Sequence, residues 1–424
     1  MFKQLTSCSW HLKLVCLSWL VLPVNSFATT DQLVLTFEDA VEKTLIQNPA
    51  LHQFKLSSER LMAERDTHSL KPGFEIGAEL ENIAGSGNRQ GIDNAELTIA
   101  LSSVIELGHK RQARISLSDA GIHQSDYERQ AQTLDVLGTM TQAFIAVLST
   151  QVELDLTTES VSLSEALYNT AHKRAQRGAG SDAQLMRAKA QVSQAKIQQE
   201  SLQAKLERQK VSLARFWGTT TIEFATVAGD LFAFSQPEPF EKLYKRVKQS
   251  PAMTFFSSDE RLKDAQIALA KTRNYADVTW QVGVRRFEDT DDAALTFGFS
   301  MPLNTANRNN GQVKAAMLSR DILPYQRQEQ LILLHEQLFN AYSQLQQFIQ
   351  THKQLQQNVI PDLEKALRIT QDAYNRGRLP FQDRIIAQQE LLSAKKQLIE
   401  TASAALINQA IIEQLTAEPL DNSF

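Results

Sequence analysis

Apolar residues step by three and four along the stretch from Gln312 to Arg376: Leu331, Leu334, Leu338, Ala341, Leu345, Phe348, then Leu355, Val359, Ala366, Ile369 and Ala373. Only His352 and Asp362 interrupt this seam, and Gly311 and Gly377 bound it. A heptad pattern kept over so many turns predicts a coiled-coil helix. At about 1.5 Å per residue such a helix runs on the order of 100 Å, longer than a compact domain needs. Pro361 lies inside it, where it removes a hydrogen bond and should bend the axis.

An earlier stretch, 110–176, has the same character. Its large seam positions step by seven (Met140, Val147, Leu154, Val161, Tyr168), with Ala143, Thr150, Thr157, Ser164 and Ala171 between them. Large against small lets neighbouring helices interdigitate. Ser162 stands where the later helix has Pro361, so the two should bend differently. Each long helix stops at Arg-Gly, Arg177-Gly178 and Arg376-Gly377, and glycine there can take the left-handed cap conformation. A return helix follows each. Ser181 or Asp182 opens the first and Asp383 stands near the start of the second, the two aspartates placed to cap or charge-stabilise the new amino ends.

Elsewhere the period is two. Strands are predicted at 74–82, 95–103, 278–287 and 293–301. One face of them is apolar: Phe74, Ile76 and Leu80; Leu97 and Ile99; Trp280, Val282 and Val284; Leu295, Phe297 and Phe299. The other carries Glu75, Glu79, Glu81 and Arg285. Their length suits tilted membrane strands, although a soluble sheet resting on helices would show the same alternation.

The chain is one unit written twice. Asn48-Pro49-Ala50-Leu51 returns as Ser250-Pro251-Ala252-Met253, Arg177-Gly178 as Arg376-Gly377, and Ala188 as Ala387, each about two hundred residues on. The expected organisation is a signal peptide at 1–28, a first repeat at 29–218 with its helical hairpin at 110–217, and an equatorial linker at 219–239. A second repeat at 240–416 has its hairpin at 312–415, and 417–424 is a tail.

The amino end sets the compartment. Lys3 and Lys13 precede and flank the apolar run Leu14 to Val24, and Ser26-Phe27-Ala28 offers small residues for cleavage, the signature of a secretory signal. Val15 makes Cys16 a poor lipidation site. Cys8 and Cys16 are the only cysteines, so the exported chain would have no disulfide. Losing Lys3 and Lys13 takes the net charge from −4 to −6, and nothing in that balance invites nucleic acid, which wants a basic face. Beyond the signal no apolar run reads as long enough to cross a membrane as a helix.

Catalytic chemistry is absent by pattern. His335-Glu336 lacks the second histidine of a zinc protease, and no nucleophile set, phosphate loop or dinucleotide fingerprint occurs. His52, His68, His109, His123, His172 and His352 are scattered and read as ordinary surface residues. Glu288, Asp289, Asp291 and Asp292 read as a solvated turn without calcium-loop spacing. No cofactor and no metal site is assigned.

Strands placed in lipid must close into a barrel, since open edges are not tolerated there. Four cannot close, because single-chain barrels begin near about eight, so several chains must assemble. The repeat, the strand pairs and the long helices are similar to those of the TolC family of bacterial outer-membrane efflux ducts, over essentially the whole exported chain. The branch serving cobalt–zinc–cadmium and related heavy-metal pumps fits best. The residues that carry the resemblance are Asn94-Ala95-Glu96-Leu97-Thr98, Val104-Ile105-Glu106-Leu107-Gly108-His109-Lys110-Arg111, Gly283-Val284-Arg285-Arg286-Phe287-Glu288 and Asn307-Arg308-Asn309-Asn310-Gly311.

The resemblance implies a mainly α protein with a transmembrane β part: a homotrimer with a twelve-stranded barrel in outer-membrane lipid on a periplasmic α-helical barrel. It implies work with an inner-membrane, proton-driven RND pump and a periplasmic adaptor, docked at the rim of Arg177, Gly178, Ser181, Asp182, Arg376, Gly377, Leu379, Pro380 and Asp383. The family's acidic constriction maps to Arg368 and Gln371, a departure, with Asp372 offset. Closure is therefore expected around Ala366, Ile369, Asp372 and Tyr374. A duct for drugs or for a secreted protein, and a periplasmic coiled-coil scaffold without a pore, remain alternatives.

Overall fold

The computed structural model describes residues 34–417. The signal segment 1–28 and residues 418–424 of the expected tail lie outside the described residues. The chain opens with β1 (Val34–Leu35), α1 (Phe37–Gln47) and α2 (Pro49–His68). Thr36 and Asp39 close a capping box on α1. Asn48 caps α2 through Oδ1, 2.9 Å from the Ala50 N–H, with Pro49 at the first helical position, where a missing N–H is harmless.

Next come β2 (Glu75–Glu81), β3 (Glu96–Ile105), α3 (Lys110–Gln176) and α4 (Asp182–Ala214). The connecting segment holds β4 (Thr226–Val227). Then follow α5 (Phe240–Val247), α6 (Pro251–Thr272), β5 (Val278–Phe287) and β6 (Ala293–Ser300). The last helices are α7 (Thr305–Asp321), α8 (Leu323–Gln354), α9 (Ile360–Asn375) and α10 (Phe381–Thr416).

The sheet is antiparallel in the order β2–β3–β5–β6. The helices joined to it pack in the matching order, α2 on α3, α3 on α6 and α6 on α7. Away from the sheet the neighbours change: α3 packs on α4 and α10, and α10 on α8 and α9.

The largest core lies at the level of the connecting segment. Met140, Phe144 and Val147 of α3 meet Leu206 and Leu213 of α4, Phe224, Val227 and Leu231 of the segment, and Leu406 of α10. Residues 219–239 are thus packed structure, and β4 pairs in parallel with β1, a two-residue ladder too short to leave a periodic signal. The expectation that no apolar run beyond the signal is long enough to cross a membrane needs a correction: one window in α3 is apolar and long enough for a span, with half of it buried in the protein.

The organising stretch departs from a single straight helix. Gly311 does not end it, because α7 already starts at Thr305 and runs through the glycine. A turn at Ile322 separates α7 from α8, just ahead of Pro324. A π turn, Leu355–Val359, then separates α8 from α9 ahead of Pro361. Both prolines act through a missing N–H and a clash with the carbonyl four residues back. The π turn also shifts the seam. Leu334, Leu338, Ala341, Leu345 and Leu355 are buried as expected, and so is His352, which read as an interruption. Beyond the turn Leu367 and Tyr374 are buried, with Ile360 and Leu363 packed beside Leu367. Val359, Ala366 and Ile369 are exposed and Ala373 is half-buried. One extra residue in the turn accounts for the whole displacement.

Candidate functional site: an apolar sheet face and paired hairpin tips

Strand register brings the apolar residues to one face. Ile76 lies opposite Leu101, Ala78 opposite Ile99 and Leu80 opposite Leu97. Ile99 in turn meets Val284, and Leu101 meets Val282. Trp280 lies opposite Phe299, Val282 opposite Phe297 and Val284 opposite Leu295. Among the described residues no helix covers this face: Phe297 is 78 % and Phe299 86 % exposed. Trp280 and Val282 are half-buried, because their strand has a partner on each side. Phe74 packs edge-on to Trp280 at 6.2 Å, so aromatic rings gather at the end nearest the helices. Continuous exposed apolar surface of this kind marks an interaction with lipid or protein, and an aromatic belt at the strand ends fits a membrane interface.

The opposite face is polar and internally paired. Arg285 bridges Glu81 and Glu96, each at 2.8 Å, and donates to Thr98 Oγ1 at 2.9 Å. Asn82 donates to Glu96 at 2.7 Å. The edge strands are β2 and β6, each with one unpaired side.

Side chains lock the sheet to the helices at two junctions. Gly108 (φ +72°) turns the chain where an added Cβ would strike the Tyr275 ring. Glu106 pairs with Arg114, and Lys110 reaches Asp277 at 2.7 Å. On the other side Thr305 donates to the Asn274 carbonyl and Asn309 to the Ala270 carbonyl, both at 2.7 Å.

The hairpin tips are built alike. At Gly178 (φ +69°) and Gly377 (φ +73°) the long helices end in a Schellman motif. The Ala179 N–H reaches the Arg174 carbonyl at 2.9 Å, and the Arg378 N–H reaches the Ala373 carbonyl at 2.8 Å. Ser181 caps α4 by accepting from the Gln184 N–H at 3.3 Å, with Asp182 in its first turn. The second tip differs from expectation. Pro380 is the cap residue and α10 starts at Phe381, whose buried ring lies against Tyr374. Asp383 therefore acts on the helix end by charge within the first turn. Arg177, Arg376 and Pro380 are exposed, and Leu379 is half-buried.

Of the expected aperture residues, Ala366, Ile369 and Asp372 are exposed. Tyr374 is not available for a contact between chains. It is 2 % exposed and held inside the chain. Arg174 donates to the Tyr374 carbonyl at 2.6 Å and lies 4.7 Å from its ring, so the two tips are tied together. Arg384, also 2 % exposed, stands 5.9 Å from the same ring. Its Nε and Nη1 and the Tyr374 hydroxyl have no hydrogen-bond partner among the described residues, and burial pulls the guanidinium below its usual pKa. Sequence reasoning missed Arg174 and Arg384. A signal for Arg384 existed: it falls on the α10 seam with Ala387 and Leu391, at the place where the first return helix has Leu185. Among the described residues no three His, Cys, Asp or Glu side chains converge as a metal would require.

An uncovered apolar sheet with two open edges, joined to helices of such length, fits one subunit of an assembled membrane barrel. Residues 40–219 match the family model of the outer membrane efflux proteins. The cobalt-zinc-cadmium resistance protein CzcC of Cupriavidus metallidurans is 25 % identical over 299 residues, 70 % of this chain and 71 % of the relative. In structure, CusC superposes with a TM-score of 0.77 at 12 % identity, covering 90 % of this chain and 92 % of that one. The open-state MtrE outer-membrane channel of Neisseria gonorrhoeae gives 0.73 at 16 % identity, covering 90 % and 89 %. By these likenesses the chain is an outer-membrane efflux channel protein with a TolC-like fold and a periplasmic helical part.

Proposed function

We propose that three copies form the passive exit duct of a tripartite efflux system, carrying divalent heavy-metal cations from an inner-membrane RND pump and its periplasmic adaptor to the outside. The observation that carries this reading is the sheet. Among the described residues nothing covers its apolar face and no strand pairs with its edges β2 and β6, and lipid tolerates neither open edges nor unpaired backbone. Three four-stranded sheets joined edge to edge give twelve strands, with Arg285 and its glutamates facing a wet lumen. The helices support the same joint. α2, beside one edge, buries none of its residues. α7 and α8, beside the other, expose Leu318, Tyr325 and Ile332. A neighbouring copy would cover both.

The two hairpins, 110–217 and 312–415, form the end farthest from the membrane, and their tips are the adaptor-docking rim. The metal cargo is proposed from the name of the CzcC relative. The duct does no chemistry of its own.

Val282→Arg tests the lipid face. At the bilayer centre it should cost about 2–4 kcal/mol and abolish the heat-resistant oligomer, whose wild-type mass should equal three chains. A soluble periplasmic rod, or a Val282→Arg oligomer as resistant as wild type, would overturn the barrel. Deleting the gene should sensitise cells to cobalt, zinc or cadmium. Unchanged metal tolerance with new drug sensitivity would replace the cargo.

A further inference from the structure

The π turn Leu355–Val359 separates two apolar faces that the sequence offers for the same stretch of helix. With the extra residue, α9 turns Ile360, Leu363 and Leu367 onto Ala387 and Leu391 of α10, and seats Tyr374 against Phe381. Without it, steps of three and four from Leu355 reach Val359, Ala366, Ile369 and Ala373. That second face is real surface now, Val359 being 40 % and Ile369 60 % exposed. The two faces differ by one residue, about 100° around the helix and roughly 1.5 Å along it.

We propose that this π turn is the switch of the duct's periplasmic mouth: absorbing it rotates α9 by one residue and exchanges Tyr374 for Ala373 between Arg174 and Arg384. The inference rests on the duct reading for its consequence, but the two-register helix stands on this chain's own packing.

Both registers carry a cost, which is what a switch requires. In the register observed, the Tyr374 hydroxyl and two nitrogens of Arg384 are buried without partners, and unpaired polar groups in a dry site oppose folding. Rotation would carry the phenol toward solvent. In the other register the Pro361 ring would meet the Gln357 carbonyl of an unbroken α-helix, a clash that the wider turn avoids. Neighbours hold the present state at both ends. Upstream, His352 is wedged between Phe232 (5.6 Å) and Phe234 (4.9 Å) of the equatorial segment. Downstream, Arg174 of the first hairpin grips the Tyr374 carbonyl at 2.6 Å. Rotation breaks that grip, and with it a tie between the two tips.

The exported chain's lack of cysteine makes the register readable by cross-linking in the full-length protein. Leu367→Cys with Ala387→Cys reports the present register, and Ala366→Cys with Ala387→Cys reports the other. In channels reconstituted in planar bilayers, the 367–387 disulfide should form readily and hold conductance low, and reduction should restore wild-type behaviour. The 366–387 disulfide should form in a minor fraction at rest and raise conductance several-fold once formed. Deleting Gln357 removes the extra residue and leaves Ile360, Leu363, Leu367 and Tyr374 in regular step with Leu355, so it should hold the present low conductance without a disulfide. The proposal is overturned if 366–387 never forms while wild-type channels open, or if neither disulfide changes the conductance; Val359, Ala366 and Ile369 would then be contacts between copies only. A wild-type oligomer that conducts nothing overturns the duct reading, while the two disulfides still report whether α9 has two registers.

Discussion

The two long helical columns answer the same demand in different ways. α3 runs 67 residues without a break. Its small seam residues Thr150, Thr157, Ser164 and Ala171 stay buried at a spacing of seven throughout. The matching column, α7 to α9, is broken at Ile322 and again at the π turn, and its buried seam jumps by one residue at the second break. Composition does not separate them, since both are polar helices with a narrow apolar stripe. Proline does. Pro324 and Pro361 each remove an N–H and crowd a carbonyl, and the column yields at both places. The uninterrupted helix fixes the distance from sheet to tip, while the interrupted one carries slack at the height of the equatorial core.

Ser162→Pro is the strongest way to break this comparison. It places a proline in α3 where α9 has Pro361, and its ring would meet the Thr158 carbonyl that Ser162 Oγ now contacts at 3.1 Å. The cost should be about 3 kcal/mol or more, seen as a lower melting temperature of the heat-resistant oligomer. An unchanged melting temperature would mean that α3 can form its own π turn, and that proline alone dictates the break.

Next in size, paired alanines sharpen the register. Leu367 is nearly buried and Ile369 is 60 % exposed. Leu367→Ala should cost about 2 kcal/mol and Ile369→Ala within about 0.5 kcal/mol in denaturant unfolding. Reversal of that order would put the sequence's unbroken heptad back on the core.

That register is also where the sequence stopped being legible. Alternation of period two stands out wherever β2, β3, β5 and β6 lie, because one face of the sheet is apolar except for Ser103 and Arg286 at its two ends. Arg-Gly marks both tips, because a left-handed cap admits glycine most cheaply. A heptad count, however, assumes a constant number of residues per turn. Nothing in Leu355-Gln356-Gln357-Asn358-Val359 announces a π turn beyond the proline that follows. Val359, Ala366, Ile369 and Ala373 therefore read as the seam when they are not. The same error hid the tip contacts, since Tyr374 reads as an aperture residue beside Ala366 and Ile369 yet is buried within the chain. Arg174 and Tyr374 stand 200 positions apart, a distance no local pattern spans.

Arg174→Lys tests that contact with a smaller effect. Lysine keeps the charge but lacks the flat fork that both donates to the Tyr374 carbonyl and stacks near its ring. About 1 kcal/mol should be lost, with faster protease cleavage at the tips. Wild-type resistance would show that the tips are held by Phe381 and Tyr374 packing alone.

The smallest effect concerns pH at the π turn itself. His352 is buried beside the turn, its Nδ1 without a partner, and burial lowers its pKa from the ordinary 6.5, while a hydrogen bond to Gln356 acts the other way. A lowered folded-state pKa means that the folded protein takes up its proton at lower pH than the unfolded chain. The stabilising contribution is then complete above about pH 6.5 and shrinks as pH falls toward the folded-state value, by at most about 1.4 kcal/mol per pH unit. Two carboxylates also move with acid. Thr36 hydrogen bonds lower Asp39, and Lys242 with Arg246 lowers Glu238. Their contributions are present above their ordinary values, 3.8 and 4.5, and fade only below them. The histidine's contribution thus starts to fall at a higher pH than that of either carboxylate. His352→Phe keeps an aromatic ring between Phe232 and Phe234 and removes the titration. Wild type should lose heat resistance on going from pH 7 to pH 5, and the variant should lose less. Parallel pH profiles for the two proteins would remove His352 from the set of groups that couple the interrupted column to acid.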